Sequence, residues 1–368
     1  MKKFFWVFFF VLGAGMLCFT AVPARALTVA PEIEQPQYFS GTIKKIISPS
    51  LEDFGPQQME IFVTNGALRR QTVTATAEEI SGRQAATFSV GMRVVVAETI
   101  ADDGARTYAV VERYRVPALV GITALFFACA VFFGRRKGLQ SILGLGVTVA
   151  ALAVFIVPQI ADGKNPLVIS LIGALIIAVV SLYFSHGFER RTSVALLGTI
   201  CSLAIAAVLS LLFVGWATLF GTGSEEALFL ETGAFGTFNL RGLLLGAIII
   251  GALGVLDDVT TAQSATVEEL ANANPSFSFS ELYRRGLSVG REHIASLVNT
   301  LVLAYASVSL PLFLLFRINR DQPLWVTLNS EFIAEEIVRT LVGSTALIFA
   351  VPITTLIAAL VCARKSAK

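Results

Sequence analysis

Charge is scarce in this chain. Only 15% of its 368 residues are Asp, Glu, Lys or Arg, where a soluble domain carries roughly a quarter. That shortage excludes an ordinary soluble protein, and a net charge of +2 gives no electrostatic reason to expect a nucleic-acid partner. Histidine is scarcer still: His186 and His293 are the only two, too few and too far apart for a metal site. The four cysteines are Cys18, Cys129, Cys201 and Cys362, and none falls between residues 27 and 115. No disulfide framework therefore supports that segment. Cys18 follows the bulky Leu17, which argues against a lipoprotein site. A Walker loop, a G-x-S-x-G elbow and an H-E-x-x-H zinc helix are all missing. With no acid–base or nucleophile set and no cofactor implied, the chain is expected not to be an enzyme. If it moves a solute, an ion gradient or the solute's own gradient is the expected driving force.

Apolar residues are abundant instead, at 55% of the chain. They fall in long runs nearly free of charge, the mark of transmembrane helices about 20 residues long. Spans are expected near 116–134, 139–158, 166–185, 192–216, 240–258, 293–316 and 338–362. The expected fold is thus a membrane α-helical bundle of about seven transmembrane helices, preceded by a small exported all-β domain. Residues 1–26 have a basic start, an apolar stretch and the small-x-small ending Ala24-Arg25-Ala26. They read as a secretory signal peptide or, since the stretch is long, an uncleaved signal anchor. Residues 27–115 form the exported β domain and 116–368 the helical membrane domain.

Strand periodicity recurs over 38–47, 59–66, 70–77, 92–100 and 106–114. Asp102-Asp103-Gly104 supplies a hairpin turn between the last two, because glycine takes positive φ without a steric cost. Five short strands in so short a segment suit a small OB-like barrel. Clustered Lys and Arg set the topology. Eleven fall at proposed inner positions: Arg135, Arg136, Lys137, Arg190, Arg191, Arg284, Arg285, Arg291, Arg364, Lys365 and Lys368. Four, Lys164, Arg241, Arg317 and Arg320, fall in proposed outer loops, with Arg339 near the outer edge. The bias puts the β domain outside and the C-terminus in the cytoplasm.

The informative residues are polar ones in runs that have no need of them. GLLLGAIIIGALGVLDDVTTAQSATVEEL, residues 242–270, turns from apolar to acidic at Asp257 and Asp258. Seventeen residues from Leu240 to Leu256 make roughly 25 Å of helix, against a hydrocarbon core of about 30 Å. The acids thus sit at the inner edge, and either end the span in solvent or point into the protein. Gly251, Gly254 and Asp258 share one helical face, while Asp257, Thr261, Ser264 and Glu268 share another. Gly242 and Gly246 form a small-xxx-small step for close helix approach. In the sixth span, Glu292, Ser296 and Asn299 form a polar stripe, with Thr300 and Ser307 on a second. Buried amides there serve either as interhelical glue or as function. Glu335 and Glu336 stand one turn before Arg339, a local neutralisation. Pro352 lies in the last span and is expected to kink it.

The runs GAIIIGALGVLDDVTTAQSATVEEL, SELYRRGLSVGREHIASLVNTLVLAY and LNSEFIAEEIVRTLVGSTALIFAVPITTLIA resemble the YibE/F family of bacterial membrane proteins, as do the earlier KGLQSILGLG and PQIADGKNPL. The resemblance covers nearly the whole chain and implies architecture more than chemistry. The family's fifth-span motif resembles G-x-x-x-D-V, which maps onto Gly254 and Asp258-Val259, with Asp257 beside it. Here Thr260–Ser264 replaces a more usual pattern of small residues and serine. On that mapping Asp258 is the favoured functional residue, with Ser264 behind it.

Two functions are open. One is an ion-coupled secondary transporter or permease in which Asp258, Asp257, Ser264, Glu292, Asn299 and Thr300 line a cytoplasm-facing cavity for a small solute or cation, with Gly242, Gly246, Gly251 and Gly254 allowing helix packing and movement. The other is a non-transporting envelope or signalling protein whose external β domain binds a partner. The bilayer is the expected surrounding, and a homo-oligomer is compatible with either.

Overall fold

A computed structural model describes residues 36–47, 57–77, 88–100, 105–232, 238–318 and 323–366. Two compact units divide the chain, one over Thr28–Cys129 and the other from Ala130 onward. The leader, the linker after it and the Asp102-Asp103-Gly104 turn lie outside the described residues.

In the first unit the expected strands form as β1 (Gln37–Ile46), β2 (Gln57–Val63), β3 (Thr72–Ala77), β4 (Arg93–Ile100) and β5 (Arg106–Arg113). They close into a barrel in the order β1-β2-β3-β5-β4, with β3 and β5 parallel and all other pairs antiparallel. Alternation makes this possible, since every second residue turns inward. Ile43, Met59, Ile61, Val63, Ala75 and Val94 are fully enclosed. Closure removes the free edges that an open five-stranded sheet would expose. Glu98 is buried on this barrel, and its Oε1 accepts from Tyr108 Oη at 3.3 Å and Arg106 Nη1 at 3.2 Å. Burial, and then the Glu98 charge, push the Tyr108 phenol above its ordinary range.

Among the described residues, five helices are long and apolar enough to cross a membrane: α1 (Val116–Ala161), α2 (Pro166–His186), α3 (Arg190–Trp216), α5 (Leu240–Ala273) and α9 (Glu331–Ser366). Between them lie α4 (Glu225–Thr232), α6 (Phe279–Val308), α7 (Leu310–Ile318) and α8 (Leu324–Leu328). The difference from seven expected spans has two causes. The first two expected spans belong to α1, which bends at Arg135, where φ is 50° and ψ −126°. The bend is sharp enough that a Cβ at Gly138 would overlap the Ala130 carbonyl oxygen. The sixth expected span is divided between α6 and α7, interrupted at Ser309. Pro311 stands in the first turn of α7, where its missing N–H costs no helical bond, whereas within one continuous helix it would have removed one. Near its end α1 widens into a π-helical stretch, Ala151–Ile156, just ahead of Pro158, which has no N–H to donate.

Local signals fix the helix starts. Asn165 Oδ1 accepts from the Leu167 and Val168 amides ahead of α2, with Pro166 at the first helical position. Asn239 Oδ1 accepts from Gly242 N at 2.8 Å ahead of α5. Ser278 opens α6, with Glu281 three residues on.

α5 is the central helix. It has the largest buried share of any candidate span, 56% of its most apolar window. Its core is continuous with α2, α3 and α9 through Ile177, Leu203, Ile249, Leu256 and Leu347. Of the four glycines expected to serve packing, two do. A Cβ at Gly246 would overlap the Ser170 hydroxyl on α2, and one at Gly242 would meet Pro166 Cδ at 3.0 Å. Gly251 has only Tyr305 Oη near it, at 3.9 Å, and Gly254 has nothing within 4 Å. The expected packing face through Gly251 and Gly254 is therefore corrected: α5 rotates those positions outward.

The acids at the start of α9 also depart from the local pairing expected of them. Glu336 and Arg339 do pair, at 3.3 Å. Glu335 is buried and instead accepts from Gly223 N at 2.9 Å, while Glu331 Oε1 accepts from Phe220 N at 2.6 Å and Gly221 N at 3.0 Å. These carboxylates close the α3–α4 loop onto α9. Gly221 has φ +87° and a Cβ there would overlap the Leu240 carbonyl, so glycine is required at that position; a Cβ at Gly223 would displace the Glu335 carboxylate, 2.6 Å away at Cδ.

Two substitutions test the rotation of α5. Gly246→Val forces Ser170 aside and is expected to cost about 1–3 kcal/mol. Gly254→Val points into open space and is expected to change stability by under about 0.5 kcal/mol. Thermal unfolding in detergent separates the two.

Candidate functional site

The polar half of α5 alternates between faces as a helix requires. Leu256, Val259, Thr260, Gln263, Ser264 and Val267 are buried, Asp257 and Thr261 lie at the margin, and Asp258 is exposed. Each inward polar group meets a neighbouring helix. Thr260 Oγ1 and Thr199 Oγ1 on α3 share a hydrogen bond of 2.7 Å, both fully enclosed. The Ser264 hydroxyl donates to the Arg191 carbonyl oxygen at 2.8 Å, in the first turn of α3. Gln263 reaches the other way: its Nε2 donates to the Gly286 carbonyl oxygen of α6 at 2.9 Å and to Thr355 Oγ1 of α9 at 2.7 Å. That one amide joins three helices.

Gln263 escaped the sequence reading. Its signal was available: it stands at i+7 from Leu256 and i−4 from Val267, on the apolar face. Across from it, Gly286 and Gly290 form a small-xxx-small step on α6. A Cβ at Gly290 would lie 3.0 Å from Gln263 Oε1, so the glycines make room for the amide.

Asp257 differs from these. Its Oδ1 is buried and has no hydrogen-bond partner. The Thr261 Oγ1 one turn on is likewise buried and unpartnered, as are Thr192 Oγ1 on α3 and Thr354 Oγ1 on α9. Gly198 of α3 lies against Thr354, where a Cβ would overlap the hydroxyl. A carboxylate oxygen and several hydroxyls of the helical unit are thus buried without protein partners. Leaving such groups unsatisfied costs about 1–3 kcal/mol each, more for a charge.

The six-residue cavity expected from the sequence does not assemble. Asp258 is exposed rather than pointing inward, so its place as the favoured residue is corrected in favour of Asp257. Glu292, Asn299 and Thr300 are exposed on α6, and the Thr300 hydroxyl donates within its own helix to Ser296 O at 3.0 Å. Ser264, expected to line that cavity, is buried, and its hydroxyl is engaged by the Arg191 carbonyl of α3. Among the described residues no group of His, Cys, Asp and Glu is arranged to hold a metal ion.

The helical unit is also the part of the chain with known kin. The model of the YibE/F-like protein family matches residues 122–364, well over half the chain. The chain belongs to the YibE/F-like family. That match begins within α1 and ends within α9, so it takes in α5 and every residue discussed above, while the barrel lies outside it. No curated protein and no solved structure matches the chain.

A double-mutant cycle tests the α3–α5 contact. Thr199→Val and Thr260→Val each remove one partner of an enclosed hydrogen bond. Their coupling energy is expected to be about 0.6 kcal/mol, the average for such pairs within membranes, and not above about 1.7 kcal/mol.

Proposed function

We propose that this YibE/F-like membrane protein is an ion-coupled secondary transporter or permease, and that Asp257 is its proton- or cation-binding carboxylate. The supporting observation is the enclosed Asp257 oxygen with no partner, on the most buried candidate span. A carboxylate inside an apolar junction is costly unless it takes a proton, a cation or a polar solute. The hydroxyls of Thr260 and Thr261 follow it within one turn of helix and offer oxygen ligands of the kind a cation or proton relay uses. A carboxylate that trades one partner for another as helices move is the minimum machinery of coupled transport. In this reading the barrel faces outward from a bacterial inner membrane and the C-terminus lies in the cytoplasm, following the distribution of Lys and Arg.

A second reading, a non-transporting envelope or signalling protein whose external barrel binds a partner, is favoured by one observation. The barrel belongs to a compact unit of its own and lies outside the family match. Deleting residues 37–114 separates the two: a permease retains flux, whereas a receptor loses its response entirely.

Asp257→Asn is expected to abolish flux in proteoliposomes while the protein still inserts and keeps its melting temperature. Asp258→Asn is expected to retain flux within about threefold, since a change at an exposed position is small on the scale of a tenfold effect, about 1.4 kcal/mol. The reverse pattern would transfer the role to Asp258.

A further inference from the structure

A cavity of about 260 Å³ lies between the first turn of α3, the C-terminal part of α5 and the last turns of α9. Drug-sized pockets run from about 300 to 1,000 Å³, so this one takes a small group. Its polar wall carries Arg190, Arg191, Glu268 and Asn272, and its apolar wall includes Val194 and Val361. The arginines are not equivalent. Arg191 Nε lies 2.6 Å from Glu189 Oε2 and 4.0 Å from Glu268 Oε2, and its own carbonyl is fixed by the Ser264 hydroxyl. Arg190 has no carboxylate within salt-bridge distance among the described residues. Arg191 is thus held between two carboxylates, which leaves Arg190 as the lining guanidinium without a carboxylate partner among the described residues.

Size, charge and lining agree on one ligand class. We propose that this cavity binds the phosphodiester of a glycerophospholipid headgroup, held by Arg190 and the Asn272 amide, with the glycerol and first acyl carbons along Val194 and Val361. A phosphodiester carries a single negative charge and so matches one unpaired guanidinium, that of Arg190. A guanidinium grips two of its oxygens at once. An anion with more charge meets Glu268, and one without an apolar stem leaves half the wall uncovered. Basic pockets between membrane helices hold lipid headgroups by the same chemistry. The site shares no acid with the transport reading and does not rest on it.

The test uses delipidated full-length protein in detergent, titrated with dihexanoyl phosphatidylglycerol, dihexanoylglycerol or inorganic phosphate, with bound species counted by native mass spectrometry. Phosphatidylglycerol is expected to bind saturably, dihexanoylglycerol not at all, and inorganic phosphate at equal concentration not to displace it. Arg190→Gln, at an exposed position that does not threaten folding, is expected to weaken phosphatidylglycerol binding about tenfold. Val361→Phe crowds the apolar wall with both arginines intact and is expected to weaken it similarly. Asp257→Asn is expected to leave it unchanged. Unaltered affinity in Arg190→Gln overturns the proposal. So does displacement by inorganic phosphate at equal concentration, which assigns the cavity to a free anion.

Discussion

A polar group enclosed by apolar helices has no water to turn to, and α5 places Thr260, Gln263 and Ser264 in that position within little more than one turn. Two sides answer them: Thr199 and the Arg191 carbonyl of α3 meet Thr260 and Ser264, while Gly286 of α6 and Thr355 of α9 meet Gln263. Apolar burial alone gives weak direction in a membrane, since lipid tails satisfy leucine as well as another helix does. These hydrogen bonds are directional where burial is not, so they set the rotation of α5. That rotation in turn decides which of two adjacent aspartates buries a carboxylate oxygen.

Close approach makes the Gln263 bond possible, since Gly286 and Gly290 let α6 reach its amide. Gly198 against Thr354 and Gly246 against Ser170 bring α3 to α9 and α5 to α2 by packing alone. At the other end of α9, Glu331 and Glu335 tie the loop after α3 by its backbone amides. The junction is thus braced at both ends, and the unpartnered Asp257 oxygen lies between the braces. A site that must change partners needs a scaffold that holds still around it.

Much of the architecture was legible. The strands announced themselves through period-two alternation, as in 57–63 with Met59, Ile61 and Val63 inward. The apolar runs marked every helix that is long enough to cross. What stayed hidden has a physical cause. Asp257 and Asp258 differ by about 100° around a helix, and only a contrast between apolar and polar faces reveals which way 100° lies. Helices α2, α3 and α5 carry hardly any such contrast, because their lipid-facing and protein-facing sides are both apolar. The same ambiguity put Gly251 and Gly254 on a packing face that is in fact open. The bend at Arg135 has no proline to mark it. The interruption at Ser309 does have one in Pro311, but the apolar run across it masked the signal. Glu335 sat one turn before Arg339, and pairing by spacing says nothing of a loop over a hundred residues away in the chain.

The central claim is that α5 turns Asp257 toward the protein, with one carboxylate oxygen buried, and exposes Asp258, and thiol accessibility measures it directly. In a background with Cys18, Cys129, Cys201 and Cys362 replaced by serine, Asp257→Cys and Asp258→Cys are each exposed to a small maleimide in detergent, and the labelling rates compared. The account predicts that Asp258→Cys labels about tenfold faster, since access controls thiol reactivity. Equal rates, or faster labelling of Asp257→Cys, would contradict it.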